Sequence, residues 1–360
     1  MSIFNDLFVL EMANNHLGKV DRGLKIISEF GQIVRYNNVR ATIKLQIRDV
    51  DTFIHKDYRN RSDIRYIKKT LDTRLSKDQY LQLVNAVRSN GFLTSATPFD
   101  EASVELCEEL ELDIIKIASS DINDWFLIEK IAQTRKPVSF STGGSSLKNI
   151  DEIVKFFTRR SIPMALNHCV SLYPTEDKEL ELNQIDFLRN RYPGLTIGLS
   201  THEYKSWDSS MLVAYAKGAR TFERHIDIED GISVSPYCST PKKIDDWFRA
   251  FNKAKEMCGG SSEERRLITE TETKYLDALV RGVYAKRDLP VGHVMNHATI
   301  NEDFYLAIPL LKGQLSCREI ITGATLGKTL LKDSPLKIES IIGPLSSNSS
   351  ICNTINNRGL

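Results

Sequence analysis

The sequence has no run of about eighteen apolar residues, the length a helix needs to cross a bilayer, so no membrane partner is expected. It also lacks an excess of either charge. Lys and Arg number 48 against 47 Asp and Glu, a formal net charge of +1, which argues against nucleic acid as a partner. The opening MSIFNDLFVLEMANN carries acids and asparagines where a secretory leader has a basic start and a longer apolar stretch, so a soluble, cytoplasmic protein is expected. Six cysteines (Cys107, Cys169, Cys238, Cys258, Cys317 and Cys352) are scattered without a single CxxC pair. That spacing excludes a disulfide framework and a zinc cluster and reads as reduced, mostly buried thiols. What remains is 360 residues, 41% of them hydrophobic, ample for one large domain and a small one.

Eight short apolar runs punctuate the first 226 residues: LFVLEM (7–12), ATIKLQI (41–47), FLTSAT (92–97), DIIKIAS (113–119), PVSFST (137–142), IPMALNHC (162–169), LTIGLS (195–200) and RTFERHI (220–226). Between them lie helix-period stretches such as SKDQYLQLVNAVRSN and DEASVELCEEL, several opening on Ser, Asp or Asn where a helix cap belongs. Strands alternating with such helices pair in parallel, and eight units close a (β/α)₈ TIM barrel, expected over residues 1–258. Residues 48–75 are too long and too charged for a plain loop and read as an insertion over the active face. A charged connector (259–279) leads to short alternating strands with Gly and Pro turns, a small mostly-β domain over 280–336. The polar tail 337–360 reads as partly disordered.

Barrel enzymes keep their chemistry beyond the C-terminal ends of the strands, and here those ends are polar. They carry Glu11 with Asn15 and His16, Lys44 with Gln46, Thr97, Lys116 with Ser119 and Asp121, Ser141, His168 with Ser171 and Tyr173, Ser200 with His202, and Glu223 with His225. Two histidines ending consecutive strands are candidate ligands for a divalent first-row metal, with positions left over for water and a substrate oxygen. A lone histidine is more often structural; the matched placement is what favours ligation. Lys44, Lys116, Thr97, Ser119, Ser141 and Ser200 form a ring of ammonium and hydroxyl donors suited to a phosphate ester. The competing reading pairs the lysines with Glu11 or Asp121 and makes the hydroxyls helix caps. Glu11 and Asp121 are candidates for proton transfer or for orienting water.

LEMANNHLGKVDRGLKII, IKLQ, TSATPFD, IIKIASSDINDWFLIEKIAQTRKPVSFSTGG, NHCVSLYPT, IGLSTHE and FERHI, in that order, resemble the sialic acid synthase (N-acetylneuraminate synthase) family. RGVYAKRDLPVGHVM resembles the antifreeze-like (SAF) domain that follows the barrel in that family. The resemblance implies condensation of phosphoenolpyruvate with N-acetylmannosamine or a related aldose, giving a 2-keto-3-deoxy sugar acid and phosphate. It implies a divalent metal, Mn²⁺ before Mg²⁺ or Co²⁺, on His202 and His225, and phosphoenolpyruvate on Lys44, Thr97, Lys116, Ser119, Ser141, Ser171 and Ser200. Glu11 falls near the metal-bound water, and Gln46 and Tyr173 at sugar contacts. A homodimer is implied, each SAF domain covering the partner's active site.

Three departures lie on the acceptor side. SSD replaces the family's SGE, so Asp121 takes a glutamate's place; DIEDGISVSPYCSTP replaces the GPDH segment; and FYLAIPLLKGQLSCRE replaces the RPG segment with its arginine. An acceptor other than N-acetylmannosamine is therefore expected. Asp227, Glu229 and Asp230 are candidates to replace the lost aspartate unless that loop is simply solvated. Gln314, Ser316, Arg318 and Glu319 are candidates to replace the arginine. The alternatives are an inactive relative that binds sugar or phosphoenolpyruvate, and a metal-dependent sugar lyase or isomerase on the same barrel.

Overall fold

The computed structural model describes residues 2–260, 264–319 and 322–360; positions 261–263 of the expected connector and 320–321 of the expected second domain lie outside the described residues. The chain divides into two compact units, Met1–Gly259 and Gly260–Leu360.

In the first unit β1 (Leu7–Ala13), β2 (Arg40–Ile47), β3 (Leu93–Pro98), β4 (Ile114–Ile117), β5 (Val138–Ser141), β6 (Met164–Cys169), β7 (Thr196–Thr201) and β8 (Thr221–His225) pair in parallel and in order, and β8 returns to β1. The barrel is closed, as the eight apolar runs require. Helix α1 (Val20–Asn37) follows β1; α2 (Val50–Phe53), α3 (Arg65–Asp72) and α4 (Lys77–Ser89) follow β2. Then α5 (Glu101–Glu109), α6 (Trp125–Gln133), α7 (Leu147–Arg159), α8 (Asn183–Arg191), α9 (Trp207–Ala216) and α10 (Pro241–Cys258) each follow one strand. Several start where a side chain accepts from an orphan amide: Ser76 with Gln79 in a capping box, Asp100, Asp124 and Ser146.

Side chains alternate across each strand, and the alternation sorts the interior. On β1, Phe8, Leu10 and Met12 join the large core under the helices, while Leu7 and Val9 join Phe4, Ile114 and Ala165 in a small separate cluster that plugs the barrel. Phe8 meets Phe222 at 5.5 Å, Trp247 at 5.0 Å and Phe248 at 4.6 Å between ring centres, so α10 seals the seam between β1 and β8. Continuing the inward set by twos places Glu11, Lys44, Lys116, Ser141, Ser200 and Glu223 above that plug, all of them buried.

The second unit starts from α11 (Glu270–Asp277). Strands β9 (Gly282–Ala285) and β11 (Phe304–Ala307) pair antiparallel, and β10 (Val294–Met295), β12 (Ala324–Leu326) and β13 (Ile341–Ile342) form a second antiparallel sheet. A short α12 (Ile300–Asp303) precedes β11. Their core gathers Val283, Leu289, Met295, Leu315, Leu326, Leu336, Ile338, Ile341 and Ile355. The tail is not the disordered segment its polar composition suggests. Ser349–Asn357 forms helix α13, capped by Asn348, with Ile351 and Ile355 one turn apart on the core side; that apolar spacing outweighs the polar average. Among the thiols, Cys107, Cys169 and Cys238 are buried and Cys258 and Cys317 exposed, all unpaired, so burial is less general than the sequence suggests.

Candidate functional site

A cavity of about 890 Å³ opens at the C-terminal ends of the strands. Every residue to which the family resemblance assigned a catalytic, anion-binding, metal or sugar-contact role lines it, together with Asp121: Glu11, Lys44, Gln46, Thr97, Lys116, Ser119, Ser141, Ser171, Tyr173, Ser200, His202 and His225; the loop candidates Asp227, Glu229 and Asp230 do not. The insertion after β2 contributes Phe53, Arg65, Tyr66, Lys69 and Thr70 to the wall.

The floor is an ion network around a residue to which sequence reading assigned no role. Glu223, on β8, accepts from Lys116 at 3.0 Å and from Ser200 at 3.3 Å and stands 3.3 Å from Lys44. Lys44 also contacts Glu11 and donates to Thr97 at 3.0 Å; Lys116 donates to Ser141 at 2.6 Å. Burial alone would push the Glu223 carboxyl up, but Lys116 and Lys44 hold it below the ordinary glutamate range. Burial pulls the Lys44 ammonium down to about 8 against the attraction of Glu223. Two buried ammonium groups persist side by side because two carboxylates neutralise them. The alternative of lysines paired with carboxylates therefore holds for the unliganded network: Lys44 meets Glu11, while Asp121 pairs with neither lysine. The missed signal was the alternation itself, since Glu223 lies two residues before His225 on the same strand face.

The two imidazoles stand 5.4 Å apart between ring centres. His202 lies against the Val170 carbonyl at 3.0 Å through Nδ1, which places the proton on Nδ1 and leaves Nε2 with its lone pair. Burial drives His202 down to about 4 and His225 well below the ordinary histidine value, so both rings are neutral at physiological pH. Behind them Arg224 and Glu203, buried to within 1%, approach to 2.7 Å, and Arg224 also donates to the Glu203 carbonyl and to Ser239 Oγ. The network ties the end of β7 to β8.

Asp121 sits higher on the wall, where burial pushes its carboxyl up to about 6. Ser119 accepts from the Gly143 amide at 3.1 Å, and Tyr173 lies tilted by 41° against His202 with ring centres 4.0 Å apart.

Other polar residues at the strand ends are structural. His16 is buried, with Nδ1 accepting from the Gly18 amide, and His168 bonds the Leu180 carbonyl at 2.7 Å; neither lines the cavity. Asp227 and Asp230 are each held 2.9 Å from Arg22 of α1, so they are neither solvated nor free to hold a sugar. In the second unit Gln314 donates to the Val283 carbonyl, Glu319 binds Ser316 and Arg358, and Arg318 pairs with Asp277. Gln314, Ser316 and Glu319 are committed within their own unit, which corrects their candidacy as substitutes for the missing arginine, while the paired Arg318 side chain stays 45% exposed.

Residues 38–262 match the NeuB family model. The chain belongs to the NeuB family. Its resemblance to the sialic acid synthases and its reading as a closed barrel are thus borne out. This NeuB chain superposes with a TM-score of 0.88 and 36% identity on a Chromobacterium violaceum protein assigned to spore coat polysaccharide biosynthesis (protein E), over 94% of this chain and 99% of that one. An N-acetylneuraminate-9-phosphate synthase of Drosophila melanogaster is 32% identical over 61% of this chain, a match that spans only 60% of the fly protein. An N,N'-diacetyllegionaminic acid synthase of Campylobacter jejuni is 24% identical over 82% of this chain and 89% of its own length. Among the described residues no helix of the NeuB chain is long and apolar enough to cross a membrane.

Proposed function

We propose that this NeuB protein condenses phosphoenolpyruvate with an aldose and releases phosphate, making a 2-keto-3-deoxy sugar acid for a surface glycan. The observation that carries the reading is the cavity floor, where two lysines ringed by hydroxyls face two neutral imidazoles. Lys44 and Lys116 neutralise the phosphate and carboxylate of phosphoenolpyruvate, and Thr97, Ser119, Ser141, Ser171 and Ser200 supply directional hydrogen bonds. Glu223 holds both ammonium groups in place.

His202 and His225 suit a divalent ion, Mn²⁺ in the first place and Mg²⁺ or Co²⁺ as substitutes. His202 Nε2 carries its lone pair, and Glu11 Oε1 is buried without a hydrogen-bond partner. An ion held by these two imidazole nitrogens keeps positions open for water and substrate oxygens. Bound there, the ion supplies Lewis-acid polarisation of the aldehyde.

The enol carbon of phosphoenolpyruvate attacks the aldehyde carbon. Water then adds to the resulting oxocarbenium carbon, and phosphate leaves by C–O cleavage. Glu11 orients that water, and Asp121, lifted to about 6, exchanges a proton with the acceptor near neutral pH. Gln46 and Tyr173 hold the sugar chain, and the walls keep bulk water from the intermediate. The changed acceptor-side segments support a sugar other than N-acetylmannosamine, and the family resemblance supports a homodimer as the working form.

The test is phosphate release from phosphoenolpyruvate with Mn²⁺ over a panel of hexosamines, hexoses and pentoses. Release with one acceptor, abolished in His202→Ala, with an ¹⁸O label in the C–O–P bridge recovered in the phosphate, is the expected outcome. Silence across the panel while phosphoenolpyruvate still binds would instead make the chain a binding relative without turnover.

A further inference from the structure

A second cavity, of about 540 Å³, lies between the end of β2 and the first turns of α4 and α5. Arg48 borders both cavities, so the segment that ends β2 is the partition between this one and the barrel mouth. The size is that of pockets that take small organic ligands.

Its inner surface is apolar and its rim cationic. Ile47, Val50, Leu75 and Tyr80 line it and are buried, and the Tyr80 hydroxyl is taken by the Gln46 carbonyl at 3.0 Å. Arg48, Arg74 and Lys77 set three positive charges against one lining carboxylate, Asp49. Arg74 pairs with Asp51, and Lys77 with Glu109 at 2.6 Å, but all four side chains are more than half exposed, and exposed pairs of this kind hold weakly. Neither Asp51 nor Glu109 lines the cavity. Three cations less one carboxylate leave a surplus of two positive charges, which a phosphate monoester balances near neutral pH.

Uncommitted donors stand beside those cations. Ser76 caps α4 by accepting from the Gln79 amide, and among the described residues the Lys77 and Asp78 amides of that first turn have no partner. The dipole of this 13-residue helix favours an anion at the same place. Across the cavity, on α5, Ser103 gives its amide to Asp100, yet its hydroxyl is buried without a hydrogen-bond partner on a residue only 1% exposed that lines the space. A buried hydroxyl in that condition destabilises the fold until something supplies the missing bond. Asp100 also accepts from the Asp49 amide at 2.8 Å, which fastens the partition to α5.

We infer that this cavity is a second ligand site, separate from the barrel mouth, and that it takes a phosphate monoester with an apolar body. The phosphate sits at the start of α4 between Arg74 and Lys77, the body lies against Ile47, Val50 and Leu75, and the ligand supplies the bond that the Ser103 hydroxyl lacks. The site goes beyond the condensation reading and needs no turnover.

The probe is phenyl phosphate, titrated by calorimetry into the full chain with and without saturating phosphoenolpyruvate, beside inorganic phosphate. Phenyl phosphate should bind with phosphoenolpyruvate present, and about tenfold or more tightly than inorganic phosphate, because only its ring covers the apolar surface. Arg74→Gln with Lys77→Gln should weaken it by about tenfold or more, and Ala102→Trp, which puts a large ring on the exposed lip, should abolish it. All three positions are exposed, so the melting temperature should stay that of the wild type, which separates lost binding from lost folding. Binding that these variants leave unchanged, displacement by phosphoenolpyruvate, equal affinity for the two phosphates, or no binding would each overturn the inference and leave the condensation reading standing. A chain that ignores phosphoenolpyruvate but holds phenyl phosphate, and loses it in both variants, would overturn that reading and uphold this site.

Discussion

Gly143 shows how closely the anion ring is built. A Cβ there would fall 2.1 Å from Ser171 Oγ and 2.9 Å from Ser119 Oγ, so a single methyl group displaces two of the hydroxyls aimed at the floor. Gly143→Ala should lower kcat/KM for phosphoenolpyruvate by about ten- to a hundredfold, the cost of roughly 1 Å of misplacement, a change read directly from steady-state kinetics. Asp121 makes a prediction about pH. Burial raises its folded-state pKa from 3.8 to about 6, so the folded chain binds that proton more tightly than the unfolded one. Its contribution therefore favours folding at low pH and is lost as pH rises from about 4 through 6. The melting temperature of the wild type, relative to Asp121→Asn, should fall across that window; a difference that stays flat would show that the carboxyl is not held in this way. The candidate residues were legible individually because each ends an apolar run. Gly143 was not, since its constraint comes from side chains in the loops after two other strands, β4 and β6.

Strand ends set the imidazoles, and the ion pair behind them sets the strand ends. Glu203, the last letter of IGLSTHE, is fully buried against Arg224 of β8, and Thr201 and Ser210 donate to its carboxylate. Arg224→Met would leave Glu203 as an uncompensated buried charge. It should cost about 3–5 kcal/mol in denaturant unfolding, whereas pairing it with Glu203→Leu should recover much of the loss. Short apolar runs located all eight strands because a continuous apolar stretch is a local signal. The helix of the tail was missed because only two isoleucines mark its buried stripe within a polar composition.

The two units have separate hydrophobic cores, so damage to one core should stay local. Ile355→Ala removes a side chain 1% exposed from the small core and should cost about 2–5 kcal/mol there. Hydrogen exchange should show β9 to β13 losing protection while β1 to β8 keep theirs; uniform loss would mean that the units unfold as one. Composition and periodicity alone determined a closed eight-stranded barrel, a smaller β unit after it, and which polar side chains face the mouth, because period and strand count depend on near neighbours. Only the tertiary structure decided what those side chains do to one another. Lys116 and Glu223, 107 positions apart, meet through the closure of the barrel. Arg22 takes Asp227 and Asp230 from the acceptor side, and the second unit consumes Gln314 and Glu319 internally. Partnership between charges is settled by strand register and helix packing, which bring distant residues within a few ångströms, and no local pattern in the chain encodes it.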